Sequence, residues 1–323
     1  MHLLVTGGSG FIGSNFIRHM LESHPTISVT NLDVLTYAGN PANLRDIEDD
    51  SRYAFVQGDI CDRAVVDGVL DQYHIDTVVH FAAESHVDRS IADGSVFVKT
   101  NVLGTFTMLD AALAHGIERF IHVSTDEVYG STREGSFVET DNLNPSSPYS
   151  STKAGSDLLA LSYWHTHRLP VIVTRCTNNY GPFQYPEKLI PLFATNLMEG
   201  KKVPIYGTGE NVRDWLFVTD HCRAIDFLLE NGKPGEAYNI GGGEEKTNLE
   251  ITHTILRALG KDESMIEYVE DRKGHDFRYS LDFSKLRRIG WEPAFPFDEA
   301  MTATVRWYGE NEWWWRPLKE GAR

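Results

Sequence analysis

The apolar positions fall into short β-branched runs, separated by longer stretches in which they recur every three or four residues. The runs predict strands near Leu3–Thr6, Ser28–Asp33, Tyr53–Gln57, Thr77–Phe81, Phe120–Ser124 and Val171–Arg175. Between them, Ile12–Glu22 and Val102–His115 carry amphipathic helical spacing. Strands alternating with helices in this way build a parallel sheet covered on both faces, so the pattern predicts an α/β fold with a doubly wound parallel sheet. After residue 177 the pattern loosens. Residues 178–213 are rich in Pro, Gly and Asn and read as irregular; Ala237–Ile240, followed by Gly241-Gly242-Gly243, reads as a return to the sheet. Residues 244–323 read as a helix, a strand and a terminal helix with loops. The expected division is a main domain of residues 1–177 plus about 214–243, and a smaller discontinuous lobe of about 178–213 plus 244–323. The run Trp313-Trp314-Trp315 is expected to pack against the main domain or a subunit, a base-stacking platform being the other reading.

Composition narrows the partners. The chain has 323 residues, 41% of them hydrophobic, and a formal net charge of -16. A surface of that sign repels nucleic acid and anionic membrane, so neither is expected as a partner. An anionic substrate would need a local basic pocket against the global field. Three cysteines, Cys61, Cys176 and Cys222, lack the spacing of a disulfide framework or zinc site, which fits a reducing cytoplasm. No metal is expected. The chain enters its first strand directly, without a leader-like segment, and no run of 18 apolar residues predicts a membrane span.

The first candidate site is Gly7-Gly8-Ser9-Gly10-Phe11-Ile12-Gly13, between a predicted strand and a predicted helix. Gly7 allows a tight turn, Gly10 lets the backbone approach a pyrophosphate, and Gly13 permits close helix–strand packing. The helix N-terminus offers free N–H groups to the phosphates. Asp33 ends the second strand, 20 residues beyond Gly13, where a carboxylate binds ribose hydroxyls and repels a 2′-phosphate. That favours NAD on a Rossmann-type domain. Gly58-Asp59-Ile60, after the third strand, suits the adenine edge.

Two further motifs carry chemistry. Tyr149 and Lys153 lie four apart, on one face of a helix opened by Pro148. A free tyrosine has a pKa of about 10. An ammonium at about 4 Å contributes about 4 kcal/mol at an effective dielectric of about 20, or about three pKa units. The pair is therefore expected to supply a phenolate near neutrality, as a general base. Thr125-Asp126-Glu127 follows the strand Phe120–Ser124 at its carboxyl end, the edge where open α/β sheets bind ligands. Two adjacent carboxylates push their pKa values apart and can divide the roles of acid and base. The plainer alternative is a helix cap with a solvated neighbour.

On these motifs the chain resembles the extended short-chain dehydrogenase/reductase superfamily, and within it the nucleotide-sugar 4,6-dehydratases. The marks run nearly end to end: Gly7–Asn15, Leu32–Asn40, Ala82–Asp88, Thr125–Glu127, Tyr149 to Lys153, Arg175–Pro182 and Asn211–Trp215. The resemblance implies an NAD-dependent lyase acting on dTDP-glucose. Tyr149, aided by Lys153, and Thr125 would serve oxidation at C4; Glu127 would take the C5 proton; Asp126 would protonate the departing C6 hydroxyl; hydride would return to C6. Related epimerases or decarboxylases share the NAD site, Tyr149 and Lys153 without requiring the Asp126 acid; a non-catalytic NAD sensor would have lost these groups.

The resemblance places Gly7, Gly10, Phe11, Ile12, Gly13, Asp33, Leu35, Thr36, Asp59, Ile60, Phe81, Ala82, Ala83, Thr100, Tyr149, Lys153 and Asn179 at NAD. It places Ser85, Thr125, Asn178, Lys188, Leu189, Pro204, Ile205, Tyr206, Arg213, Asn248 and the run Asp271–His275 at the substrate. Arg213 and Lys188 are the candidate basic pocket, Arg being able to grip a diphosphate bidentately. Lys273 stands where the family usually has Pro. The resemblance further implies a homodimer, paired through the helices near Val102–His115 and Tyr149–Thr166, and a product feeding deoxysugar synthesis such as that of rhamnose.

Overall fold

The structure is a computed structural model that describes residues 1–271 and 276–321. Its core is a seven-stranded sheet built from β1 (His2–Thr6), β2 (Ser28–Asp33), β3 (Tyr53–Gln57), β4 (Thr77–His80), β5 (Arg119–Thr125), β6 (Val171–Cys176) and β10 (Ala237–Ile240). The spatial order is β10-β6-β5-β4-β1-β2-β3, and every pairing is parallel. Strands β4, β6 and β10 are buried at every position, as a sheet covered on both faces requires; only the edge strand β3 is largely half-exposed. On one face, α1 (Phe11–Ser23) packs on α8 (Val218–Asn231). On the other lie α2 (Arg63–Gln72), α5 (Thr105–Ala114) and α6 (Pro148–His167). Chain order reverses between β1 and β4, and the carboxyl ends of the strands there open a crevice.

Two short helices, α3 (Val87–Ala92) and α4 (Ser95–Phe97), and a π-helical turn, Val98–Gly104, precede α5. The helix expected from Val102 therefore begins within that turn. As one run, Ser95–Ala114 is long and apolar enough to cross a membrane, yet half of it is buried within the protein, and it packs along α6.

The stretch read as irregular holds more structure than expected. It contains β7 (Asn178–Tyr180), α7 (Leu189–Met198), β8 (Val203–Tyr206) and the start of β9 (Val212–Phe217). These strands are short, and their partners are distant in sequence. β9 pairs with β7 and with β11 (Glu245–Thr247), whereas β8 pairs with β12 (Ile266–Val269). Helices α7, α9 (Asn248–Ala258) and α11 (Phe297–Glu310) enclose a separate apolar core around Ile190, Phe193, Ile251 and Met301. Between them, α10 (Ser284–Arg288) packs on β10 of the main sheet. In the last helix, α12 (Glu312–Gly321), Trp314 and Trp315 are buried and Trp313 is half exposed, the packing role expected of the run.

Candidate active site

The crevice is a cavity of about 540 Å³ running from the glycine loop, past the ends of β5 and β6, to the loop before α7. At its first end, backbone does the work. Gly7 has φ of +68°, and a Cβ there would lie 2.8 Å from the Ala82 backbone. A Cβ on Gly13 would lie 2.4 Å from the Gly7 carbonyl oxygen. No side chain caps α1 at Gly10, and its first turn carries no acidic residue. Its N-terminus therefore suits a phosphate. Asp33 is 8% exposed; its carboxylate accepts from the N–H of Ser9 at 3.0 Å and of Leu35 at 2.8 Å. These residues fit a dinucleotide with free ribose hydroxyls.

At the other end, side chains dominate. Thr125 caps the single 3-10 turn Asp126–Tyr129, its Oγ1 accepting from the Glu127 N–H at 3.3 Å. The same hydroxyl donates to Asp126 Oδ1 at 3.2 Å. Asp126 is 3% exposed, and its Oδ2 is buried with no hydrogen-bond partner among the described residues. Burial, with Glu127 beside it, pushes Asp126 up to about 8. Burial raises Glu127 to about 7, where the charges of Arg213 and Lys188 restrain it. The pair thus offers a protonated acid and an ionisable base near neutral pH.

Tyr149 and Lys153 do share one buried face of α6, which Ser147 and Ser150 open with a capping box. Burial opposes the ionisation expected of the pair. Tyr149 lies well above the usual phenol value, because burial and then the Glu127 charge disfavour a phenolate; hydrogen bonding from Thr125 opposes them only in part. Lys153 donates its Nζ to the Val123 carbonyl at 2.7 Å, and burial lowers it to about 8.

The cavity brings together Gly7, Gly10, Phe11, Ile12, Gly13, Asp33, Thr36, Asp59, Ile60, Phe81, Ala82, Ala83, Ser85 and Thr100 with Thr125, Asp126, Glu127, Tyr149, Lys153, Asn178, Asn179 and Lys188. It does not gather Leu35, Leu189, Pro204, Ile205, Tyr206, Arg213, Asn248 or Asp271. Leu35 turns back on Asp33 with φ of 57°. Leu189 opens α7 and packs on the lobe core. Within β8, Ile205 is 1% exposed with its side chain in that core; Pro204 is half-buried and Tyr206 exposed. Asp271 lies against Gly207, and the Asn248 N–H donates to the Asn211 carbonyl. Arg213 donates to the carbonyls of Val212 at 2.7 Å and Asp276 at 3.0 Å, and lies 4.6 Å from the centre of the Tyr279 ring. His275 and Lys273 lie outside the described residues.

Two groups escaped the sequence reading. At the cavity mouth, Arg89 sits 3.7 Å over the Tyr37 ring and 3.6 Å from Glu187, joining three segments. Beneath the carboxylates, Arg175 Nε donates to Asp157 Oδ2 at 2.8 Å and its Nη1 to the Tyr129 hydroxyl at 2.7 Å, tying α6 to the acidic turn. Arg175 opens one quoted motif and Tyr129 lies two residues beyond another, but nothing local marks them as partners.

Comparison with known proteins agrees with this geometry. The GDP-mannose 4,6 dehydratase family model matches residues 4–304. A dTDP-glucose 4,6-dehydratase of Streptomyces niveus is 54% identical, covering 99% of this chain and 96% of its own length. The low-salt glycan biosynthesis protein Agl12 of Haloferax volcanii is 52% identical, covering 97% of this chain and all of its own. Among solved structures, DesIV, the dTDP-glucose 4,6-dehydratase of Streptomyces venezuelae with NAD and TYD (dTDP) bound, is 54% identical at a TM-score of 0.96, covering 98% of this chain and 100% of its own. A UDP-glucose 4-epimerase of Thermus thermophilus in complex with NAD is 30% identical at a TM-score of 0.89, covering 96% of this chain and 100% of its own.

Proposed function

The chain belongs to the GDP-mannose 4,6 dehydratase family, and from that premise we propose that it uses NAD to convert dTDP-glucose into the 4-keto-6-deoxy sugar nucleotide, with loss of water across C5 and C6. The sugar nucleotide is dTDP-linked because relatives at 53–54% identity over nearly the whole chain act on dTDP-glucose. The observation that carries the chemistry is Asp126 beside Glu127, both raised toward neutrality at the end of β5.

When bound, NAD would take up the hydride from C4 and return it to C6 after water is lost, C5 regaining a proton in that last step. Tyr149 receives the C4 hydroxyl proton, with Thr125 donating to the C4 oxygen. The resulting ketone acidifies C5, whose proton passes to Glu127. Asp126, protonated below a pH of about 8, gives its proton to the C6 oxygen, which leaves as water. The otherwise unpartnered Asp126 Oδ2 is suited to that donation. Lys188 and Arg213 hold the diphosphate side, and their charge keeps Glu127 ionisable.

Residues 1–177 with about 214–243 act as the NAD domain, and about 178–213 with 244–323 as the sugar-nucleotide lobe. A homodimer is supported by the exposed apolar side chains Ile91, Val98, Leu103, Phe106 and Leu158, on the mutually packed helices α3, α5 and α6 and the π-helical turn. Sedimentation should give a two-chain particle, and a monomer would refute this. Three free cysteines suit a reducing cytoplasm.

Product mass spectrometry in deuterated water tests the reaction. Loss of one water from dTDP-glucose, with deuterium gained at C5, is expected. Unchanged sugar mass with both dTDP-glucose and UDP-glucose would overturn it.

A further inference from the structure

The Trp313-Trp314-Trp315 run has a role beyond filling space. Trp315 donates its Nε1 to the Tyr308 carbonyl at 2.7 Å and fixes the joint between α11 and α12. Trp313 is half exposed. Trp314 is 3% exposed and lines the cavity. Its Nε1 donates to Asn43 Oδ1 at 2.7 Å, across 271 residues. Asn43, itself 1% exposed, donates its Nδ2 to the Ser9 carbonyl at 2.9 Å. The Asn40 N–H donates to the same oxygen at 2.9 Å.

These contacts converge on one peptide unit, Ser9–Gly10. Two donors hold its oxygen, and its N–H donates to the Gly7 carbonyl at 3.1 Å. A peptide gripped at both ends resists flipping, so the loop keeps the shape that presents the start of α1 to phosphates. The Trp314 ring also stands edge-on to Phe183, with centres 5.7 Å apart. Phe183 lies 4.3 Å from the Arg18 guanidinium of α1. The Tyr308 hydroxyl donates to the Gln184 carbonyl at 2.7 Å. One aromatic cluster thus grips the glycine loop and the loop after β7 together.

We propose that Trp314 is a positioning residue for the cofactor: through Asn43 it locks the Ser9–Gly10 peptide and so slows NAD release. This rests on NAD occupying the glycine loop. Retention matters because the reaction consumes no net NAD, and a cofactor lost after C4 oxidation would strand the ketone.

The test is NAD release. Holoenzyme loaded with NADH is chased with excess NAD, and loss of nicotinamide fluorescence gives the rate. Trp314→Phe keeps one aromatic ring and removes the donor with the rest of the indole; Asn43→Leu removes both links at similar volume. Each should speed release about tenfold, as expected for one buried hydrogen bond. Trp313→Ala should leave it unchanged. The double variant should release no faster than Asn43→Leu alone, because the links act in series. Release within threefold of wild type in both single variants would overturn the proposal; if Trp314→Phe fails to fold, Asn43→Leu decides alone. Wild-type protein that binds no NADH would instead refute the NAD assignment.

Discussion

The two ends of the cavity are built from different materials. At the glycine loop, the groups suited to the ligand are chiefly backbone N–H groups at a helix start, with Asp33 held by two backbone donors. At the end of β5, the working groups are buried or half-buried side chains displaced from their ordinary ionisation: Asp126 and Glu127 upward, Tyr149 upward, Lys153 downward. Backbone cannot be titrated, so at the first end only Asp33, whose carboxyl burial raises, can respond to pH. Proton transfer needs groups poised near the working pH, which burial provides. Damage at the first end should alter how the cofactor is held, whereas damage at the second should alter which step stalls.

The largest effect is expected for Tyr149→Phe. Turnover should fall by about 10³–10⁴-fold, and no NADH should form in a single turnover, because the first proton has no acceptor. NADH appearing at the wild-type rate would place the base elsewhere. Gly13→Ala brings a Cβ to 2.4 Å from the Gly7 carbonyl oxygen. The loop must shift, and NAD affinity should drop by about 100-fold, roughly 2.7 kcal/mol, while the chemical steps at saturating NAD stay within a few-fold. Equal losses in affinity and in chemistry would blur the proposed separation.

A smaller effect is the pH dependence. As pH falls through about 7, Glu127 gains a proton and ceases to be a base. As pH rises through about 8, Asp126 loses the proton it must donate. The rate of water loss should be bell-shaped with its optimum between these values; a flat profile from pH 6 to about 9 would contradict the assignment. Stability carries the same sign. Both carboxylates sit above their unfolded values, so their contribution is complete below a pH of about 4 and is lost progressively as pH rises from there to about 7 to 8. Asp126→Asn should therefore gain in melting temperature over wild type, by a few degrees, as pH is raised.

Legibility in the sequence divides unevenly across the molecule. β2, β3 and β10 match their sequence-read bounds; Gly58 follows β3, and Gly235 and Gly241 flank β10, so turn residues mark the ends. Asp33 was legible because the ribose position is set by local chain length from the glycine loop. Strands β7, β8 and β11, of three or four residues, carried too little pattern, and their pairing depends on partners far along the chain. The direction of the Tyr149 shift was invisible for another reason. Spacing counts the lysine but not the burial and carboxylate charge that tertiary packing adds. The Trp314–Asn43–Ser9 chain spans nearly the whole sequence, so no local signal could mark it.

The division of labour between Asp126 and Glu127 is tested most directly by a single turnover of Asp126→Asn with dTDP-glucose in deuterated water. C4 oxidation and C5 exchange should proceed, while water is lost at least about 100-fold more slowly. Nicotinamide absorbance should therefore show NADH that forms and persists, where wild type shows only a transient. Wild-type loss of water from the variant would remove Asp126 as the acid, and no NADH at all would show that it serves the oxidation instead.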